Sequence, residues 1–226
     1  MRADTHTTND HDLLWESPTL QVHTCSVSSM DNNVYVLTCR STGERALVDA
    51  ADDMPRITSL LANAAQSDSD TKPLSSIITT HRHADHHRAL VEAVAATGAT
   101  TYAGAPDADH LPSQTDVRLA QGDSIPVGEV VVEVVALRGH TPGSIALVVD
   151  GGDRAGTTLL LTGDSLFPGG PGMTTSPADF TSLMDDLTER IFARYDDDSL
   201  VLPGHGDGTT LGRERPHLQD WRQRGW

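Results

Sequence analysis

Four histidines and an aspartate fall within seven residues, His81-Arg82-His83-Ala84-Asp85-His86-His87, directly after the apolar run Ile77-Ile78. Imidazole and carboxylate, once deprotonated, are the donors that zinc, iron and manganese accept. Their spacing decides what backbone can carry them. The helical zinc motif needs two histidines four apart on one helix face. Here the donors stand at 81, 83, 85 and 86. They require a strand that stops and a tight loop whose side chains converge.

Three other segments repeat that pattern of a donor at a strand end beside glycine. Gly139-His140-Thr141-Pro142-Gly143 follows the run Val130 to Leu137. Gly163-Asp164 follows Leu159-Leu160-Leu161, and Gly204-His205-Gly206 follows Leu200-Val201-Leu202. With His81, His83, Asp85 and His86 they give five histidines and two aspartates. Seven donors exceed one tetrahedral shell and suit two ions that share a carboxylate. His87 is turned about 100° from His86 on a helix and is assigned to neither ion. His6, His11, His23, His110 and His217 read as surface histidines.

β-Branched and apolar runs divided by Gly, Asn and Asp turns predict the strands. They lie at Leu20–Ser28, Asn33–Cys39, Arg45–Ala50, Leu74–Thr80, Thr100–Ala103, Glu129–Leu137, Ser144–Val149, Thr157–Thr162 and Leu200–Leu202. Helices are predicted at Pro55–Ala65, from Asp85 or His86 to Ala96, at Pro177–Phe192 and at Arg213–Arg224, with a polar loop at Gln66–Lys72. Each half runs strands first and helices later. The fold class is therefore α/β, two sheets face to face with helices outside. Residues 1–18 read as a flexible lead-in and residues 19–226 as a single domain.

The net charge of −16 repels phosphodiester backbones and argues against a nucleic-acid partner. No run approaches the roughly 18 apolar residues of a membrane span. The polar start, Met1 to Asp12, does not read as a secretory signal, so a cytoplasmic location is expected. Cys25 and Cys39 flank Asp31-Asn32-Asn33. A hairpin centred on Asn32 would set them opposite each other, so a cross-strand disulfide is geometrically open, with two buried reduced thiols the favoured state.

The four motifs, in this order, resemble the metallo-β-lactamase superfamily over residues about 20 to 215. Gly139 to Gly143, Gly163-Asp164-Ser165-Leu166-Phe167 and Thr209-Thr210-Leu211-Gly212-Arg213-Glu214-Arg215 are most similar to glyoxalase II-like hydrolases. The resemblance implies a four-layer αββα sandwich with the metals at one edge of the sheets. It implies two divalent ions, zinc first and iron or manganese as alternatives. His81, His83 and His140 would hold one, Asp85, His86 and His205 the other, and Asp164 would bridge them. The implied reaction is hydrolysis of a small acyl thioester or related ester by hydroxide held between the metals, with Asp85 also a candidate to orient that water. Ser144, Phe167 and Met173 are candidates for the substrate cleft.

Two alternatives on the same fold are a lactonase and a mononuclear iron dioxygenase acting on a persulfide through His81, His140 and Asp164. The dioxygenase branch carries an Arg-Gly-Cys-Gly-Arg-like stretch after the aspartate. Here Ser165 to Met173 contains neither Cys nor Arg. Ser165, Ser144 and Ser176 lack a Gly-x-Ser-x-Gly frame and do not read as nucleophiles. A non-catalytic metal-binding module is the remaining class.

Overall fold

The computed structural model describes residues 12–65 and 74–225. The first sheet runs in chain order through β1 (Leu13–Glu16), β2 (Leu20–Val27), β3 (Asn32–Cys39), β4 (Arg45–Val48), β5 (Leu74–Thr79), β6 (Thr100–Gly104) and β7 (Val117–Leu119). β1 to β4 pair antiparallel. β4 to β7 pair parallel. Parallel neighbours need crossovers, and α1 (Met54–Asn63) and α2 (Leu90–Thr97) lie in two of them.

The second sheet is built from β8 (Ser124–Val127), β9 (Val130–Ala136), β10 (Ile145–Asp150), β11 (Thr158–Gly163), β14 (Leu200–Pro203) and β15 (Thr209–Thr210). Its order is β15-β14-β11-β10-β9-β8, and β11 and β14 run parallel. Between these two strands in sequence come a small hairpin, β12 (Leu166–Phe167) with β13 (Gly170–Pro171), and the helix α3 (Pro177–Asp186). The short helices α4 (Leu211–Glu214) and α5 (Leu218–Arg224) close the chain.

Side-chain alternation along the strands divides the interior into three layers. Leu20, Val22 and Leu37 meet Val132, Leu147 and Leu161 between the sheets. Val34, Val36 and Leu47 meet Ile57, Leu60 and Leu90 on the α1/α2 side. Val135 and Leu160 meet Leu183, Leu187 and Trp221 on the α3/α5 side. Burial of each such side chain contributes about 1.5–3 kcal/mol. This is the helix–sheet–sheet–helix order that the strand pattern implied.

Several sequence expectations are corrected. Residues 13–16 are not lead-in but an edge strand on β2, held by the Trp15 Nε1–H bond to Gly151 O at 2.8 Å. The β2–β3 turn lies at 28–31, with Ser28 and Asp31 at positive φ, so Val27 faces Asn32. Cys25 therefore pairs with Val34 and Cys39 with Leu20, and both thiols are free and buried. The helix expected from Asp85 begins only at Leu90. A 3-10 turn at Ala84–His86 precedes it, and the Arg88 and Ala89 N–H groups are spent on Ala51 O and Ala50 O.

The helix expected at Pro177–Phe192 changes to π geometry over Leu187–Phe192. The one expected at Arg213–Arg224 is broken by a 3-10 turn at Arg215–His217, where Pro216 has no N–H to give. β7 and β8 were not foreseen. The expected polar loop at Gln66–Lys72 lies outside the described residues.

Candidate metal centre

The four donor segments meet where the strand ends of both sheets come together. Ile145 N–H donates to Thr80 O at 3.0 Å and Asn33 N–H to Gly204 O at 2.8 Å, tying one sheet to the other at this edge. His81 follows β5, Asp164 follows β11, His205 follows β14 and His140 lies in the loop after β9.

His81 Nε2, His83 Nδ1 and His140 Nε2 lie 3.1, 2.9 and 3.3 Å from one another. A tetrahedral ion with nitrogens at about 2.0–2.1 Å sets its donors about 3.3–3.4 Å apart. Beside this group, His86 Nε2 and His205 Nε2 are 3.1 Å apart, and Asp85 Oδ2 is 3.5 and 3.2 Å from them. Asp164 stands between the two groups. Its Oδ1 is 3.3 Å from His86 Nε2, and its Oδ2 is 3.3 Å from His205 Nε2 and 3.6 Å from His140 Nε2.

The outward nitrogens show which lone pairs point inward. His140 Nδ1 donates to Met173 O at 2.7 Å, and His205 Nδ1 to Met30 O at 2.8 Å. His86 Nδ1 is 2.9 Å from Asp49 Oδ2. The Thr80 hydroxyl donates to Asp49 Oδ2 at 2.7 Å, so it accepts from His81 Nδ1 at 3.1 Å. In its neutral form each of these rings turns its bare nitrogen toward the others. Facing lone pairs repel, and one shared proton satisfies one contact of three. A cation satisfies all of them. Asp164 Oδ1 is also buried without a hydrogen-bond partner. This donor set fits divalent metal ions, and outer hydrogen bonds of this kind fix the orientation of metal-bound histidines.

The protein field points the same way. Burial and the neighbouring His86 hold His81 well below the ordinary histidine range, and burial lowers His140. Burial also opposes charge on His86, but the Asp164 and Asp49 carboxylates outweigh it and raise that imidazole to about 10. His205 is raised by Asp164. Burial pushes Asp164 and Asp85 up, yet His205 and His86 around the first, and Asn32 and His86 around the second, leave both below the usual carboxylate value. Carboxylates among imidazoles make a place where positive charge is favoured.

The model of the Metallo-beta-lactamase superfamily matches residues 30–205. The chain belongs to this superfamily. Among curated proteins it is 33% identical over 177 residues to a hydroxyacylglutathione hydrolase of Fuscovulum blasticum, covering 77% of this chain and 62% of that one. It is 35% identical over 154 residues to the enzyme of the same name from Rhodospirillum rubrum, covering 68% and 55%. The chain thus spans little more than half the length of these relatives. Among solved structures, ETHE1 from Myxococcus xanthus superposes with a TM-score of 0.72 at 28% identity, over 87% of this chain and 82% of that one.

In this superfamily member all seven residues expected as ligands come together. Phe167 also lies near, its ring 6.4 Å from that of His205, and Met173 is 78% exposed next to the carbonyl that orients His140. Ser144 is a correction. It is buried, and its hydroxyl bonds Thr141 N and Oγ1, so it pins the loop that carries His140 and lines no cleft. His23 is also not at the surface but buried on β2. His110 and His217 are exposed, while His6 and His11 lie outside the described residues. His87 is buried and its Nε2 is 3.0 Å from Arg82 O, bracing the 81–86 loop from behind.

Sequence reasoning missed Asp49, Asn32 and Asp107. Asp49 accepts from Thr80 N at 2.7 Å, contacts His86 directly and reaches His81 through the Thr80 hydroxyl. Asn32 Nδ2 donates to Asp85 Oδ2 at 3.0 Å. Asp107 accepts from Arg82 N and Gly143 N, both at 3.0 Å, and from Thr141 Oγ1 at 2.5 Å, which joins the loops that carry His81 and His140. Asp49 did carry a signal: it ends an apolar strand, as the ligand segments do.

Proposed function

We propose that this chain is a binuclear metallo-hydrolase that cleaves a small acyl thioester or a related ester. The observation that carries the reading is the convergence of five imidazole nitrogens and two carboxylates into overlapping donor groups, with Asp164 within 3.6 Å of His86, His140 and His205. The name of the curated relatives, hydroxyacylglutathione hydrolase, supports the reaction class.

His81, His83 and His140 would hold one ion, Asp85, His86 and His205 the second, and Asp164 both, with zinc the first expectation and iron or manganese the alternatives. Two such ions, when bound, supply the Lewis acidity that makes hydroxide available near neutral pH and polarises a carbonyl. The protein does the positioning. Asp49, Met30 and Met173 lock the rings in the tautomer that presents a lone pair. Asn32 fixes the Asp85 oxygen that faces His205, which leaves Asp85 placed to orient a water. Phe167 and Met173 offer apolar surface to an acyl group or its carrier. No protein nucleophile is required.

The test is a panel of thioesters, lactones and phosphodiesters, run beside an oxygen electrode and a metal analysis. Thiol release with close to two metal equivalents supports the reading. One equivalent of iron with oxygen uptake on a persulfide replaces it with the mononuclear dioxygenase. Bound metal with no turnover on any substrate replaces it with a non-catalytic binding module.

A further inference from the structure

The loop that carries His140 is gripped from outside the sheet. Asp186, the last residue of α3, has its side chain 3% exposed and faces two arginines. Its Oδ2 accepts from Arg138 N at 2.9 Å and Arg138 Nε at 2.8 Å, and its Oδ1 from Arg138 Nη2 at 2.6 Å. Arg190 Nη2 adds a contact at 3.3 Å, while Arg190 Nη1 donates to Ala136 O at 2.7 Å. The chain is thus held at residues 136 and 138, just before His140.

The same helix touches the loop at two more points. Gly139 lies so close to α3 that a Cβ there would come 2.4 Å from Asp179 O and 2.7 Å from Leu183 Cβ. Met173, whose carbonyl accepts from His140 Nδ1, lies three residues before the Ser176 N-cap of α3. The helix widens to π geometry over Leu187–Phe192, immediately after Asp186, and this wide turn carries Arg190. Turns of this kind are rare and recur at functional sites. The other ligand-bearing loops, at 81–86, 164 and 205, receive none of these Asp186 bonds.

We propose that Asp186 is a positioning residue for His140 and that it sets the affinity of the His81/His83/His140 group without setting that of the Asp85/His86/His205 group. The inference rests on the two-metal reading above. It follows from leverage. His140 is the one member of its group that comes from the second sheet's β9 loop, and a donor shifted by about 1 Å leaves coordination distance. Residues that orient ligands from outside typically govern metal affinity by about 10–100-fold.

The experiment is a cobalt titration of the metal-free full chain, followed by visible absorbance and by competition with a chromophoric chelator. It compares wild type with Asp186→Asn and Asp186→Ala. Asp185→Ala, which breaks the exposed pair with Arg222 one residue away, serves as the control. Asp186→Asn keeps the side-chain volume and one acceptor for Arg138 N, so it remains informative if the alanine variant fails to fold. The expected result is one equivalent bound as in wild type and one weakened about 10–100-fold, with its absorbance band altered. Two equivalents at wild-type affinity in the Asp186 variants, or an equal loss at both sites, would overturn the proposal. A wild-type chain that takes up fewer than two equivalents would instead overturn the two-metal reading on which it stands.

Discussion

His86 Nδ1 lies 2.9 Å from Asp49 Oδ2, and both side chains are almost wholly buried. Asp49 holds φ at 58°, a left-handed conformation that Asn also tolerates. Asp49→Asn should therefore keep the backbone while exchanging one acceptor oxygen for a donor amide. That amide would face either His86 or Thr80, both of which already present a proton. Metal affinity is expected to fall about 10–100-fold, read by chelator competition. Unchanged affinity would show that Asp49 does not orient these histidines.

Gly204 packs against the Asp164 carboxylate. A Cβ at this position would come 2.3 Å from Asp164 Oδ1 and 2.6 Å from His86 Cε1. Gly204→Ala must displace one of them. The chain is expected to keep its circular dichroism spectrum and lose bound metal, measured by elemental analysis after gel filtration. Full metal retention would mean that the two residues have room the structure does not show.

Asp12 anchors the first sheet to α1. Its carboxylate pairs with Arg56 at 2.5 and 3.2 Å and accepts from Asn63 at 2.9 Å. Burial pushes the carboxyl up, but Arg56 and Asn63 outweigh it and leave it below the ordinary value of 3.8. A depressed folded-state pKa gives stability that is present above the unfolded value and is lost as pH falls through the folded one. Arg56 is more than a third exposed, so the pair is worth about 1 kcal/mol or less, a melting shift of up to about 2–4 °C. The melting difference between wild type and Asp12→Asn should hold from pH 7 to about 5 and shrink below about 4. A difference that grows toward acid would contradict this sign.

Cys25 faces the α1/α2 layer, and burial pushes its thiol up to about 11. Cys39 packs on the opposite side of the same sheet, against Gly128. Alkylation at pH 8 is expected to spare Cys25 in the native chain and to modify both thiols after denaturation. A mass two hydrogens short after mild oxidation, with no thiol left to alkylate, would refute that placement.

What could be read from sequence divides along physical lines. The seven candidate donors and the layer order were legible because four donors crowd the end of one apolar run and three more each end an apolar run beside glycine, and β-branched and apolar runs between turn residues announce buried strands. The Ser28–Asp31 turn was not, because its two positive-φ positions are Ser and Asp, and the Asp31-Asn32-Asn33 run that starts at its last residue looks like the turn itself. Asp49, Asp107 and Asp186 were hidden for another reason. Each acts on residues distant in the chain, and a lone aspartate carries no spacing signal. Ser144 misled because sequence does not show that its hydroxyl is taken up by Thr141 within its own loop.

A single titration bears on the whole reading: thioester turnover, followed by thiol release, against metal equivalents added to the metal-free chain. The rate is expected to climb until two equivalents of zinc are bound and then level off, and Asp164→Ala should show neither the second equivalent nor the turnover. A rate that levels at one equivalent, or that survives loss of Asp164, would contradict a shared two-metal centre.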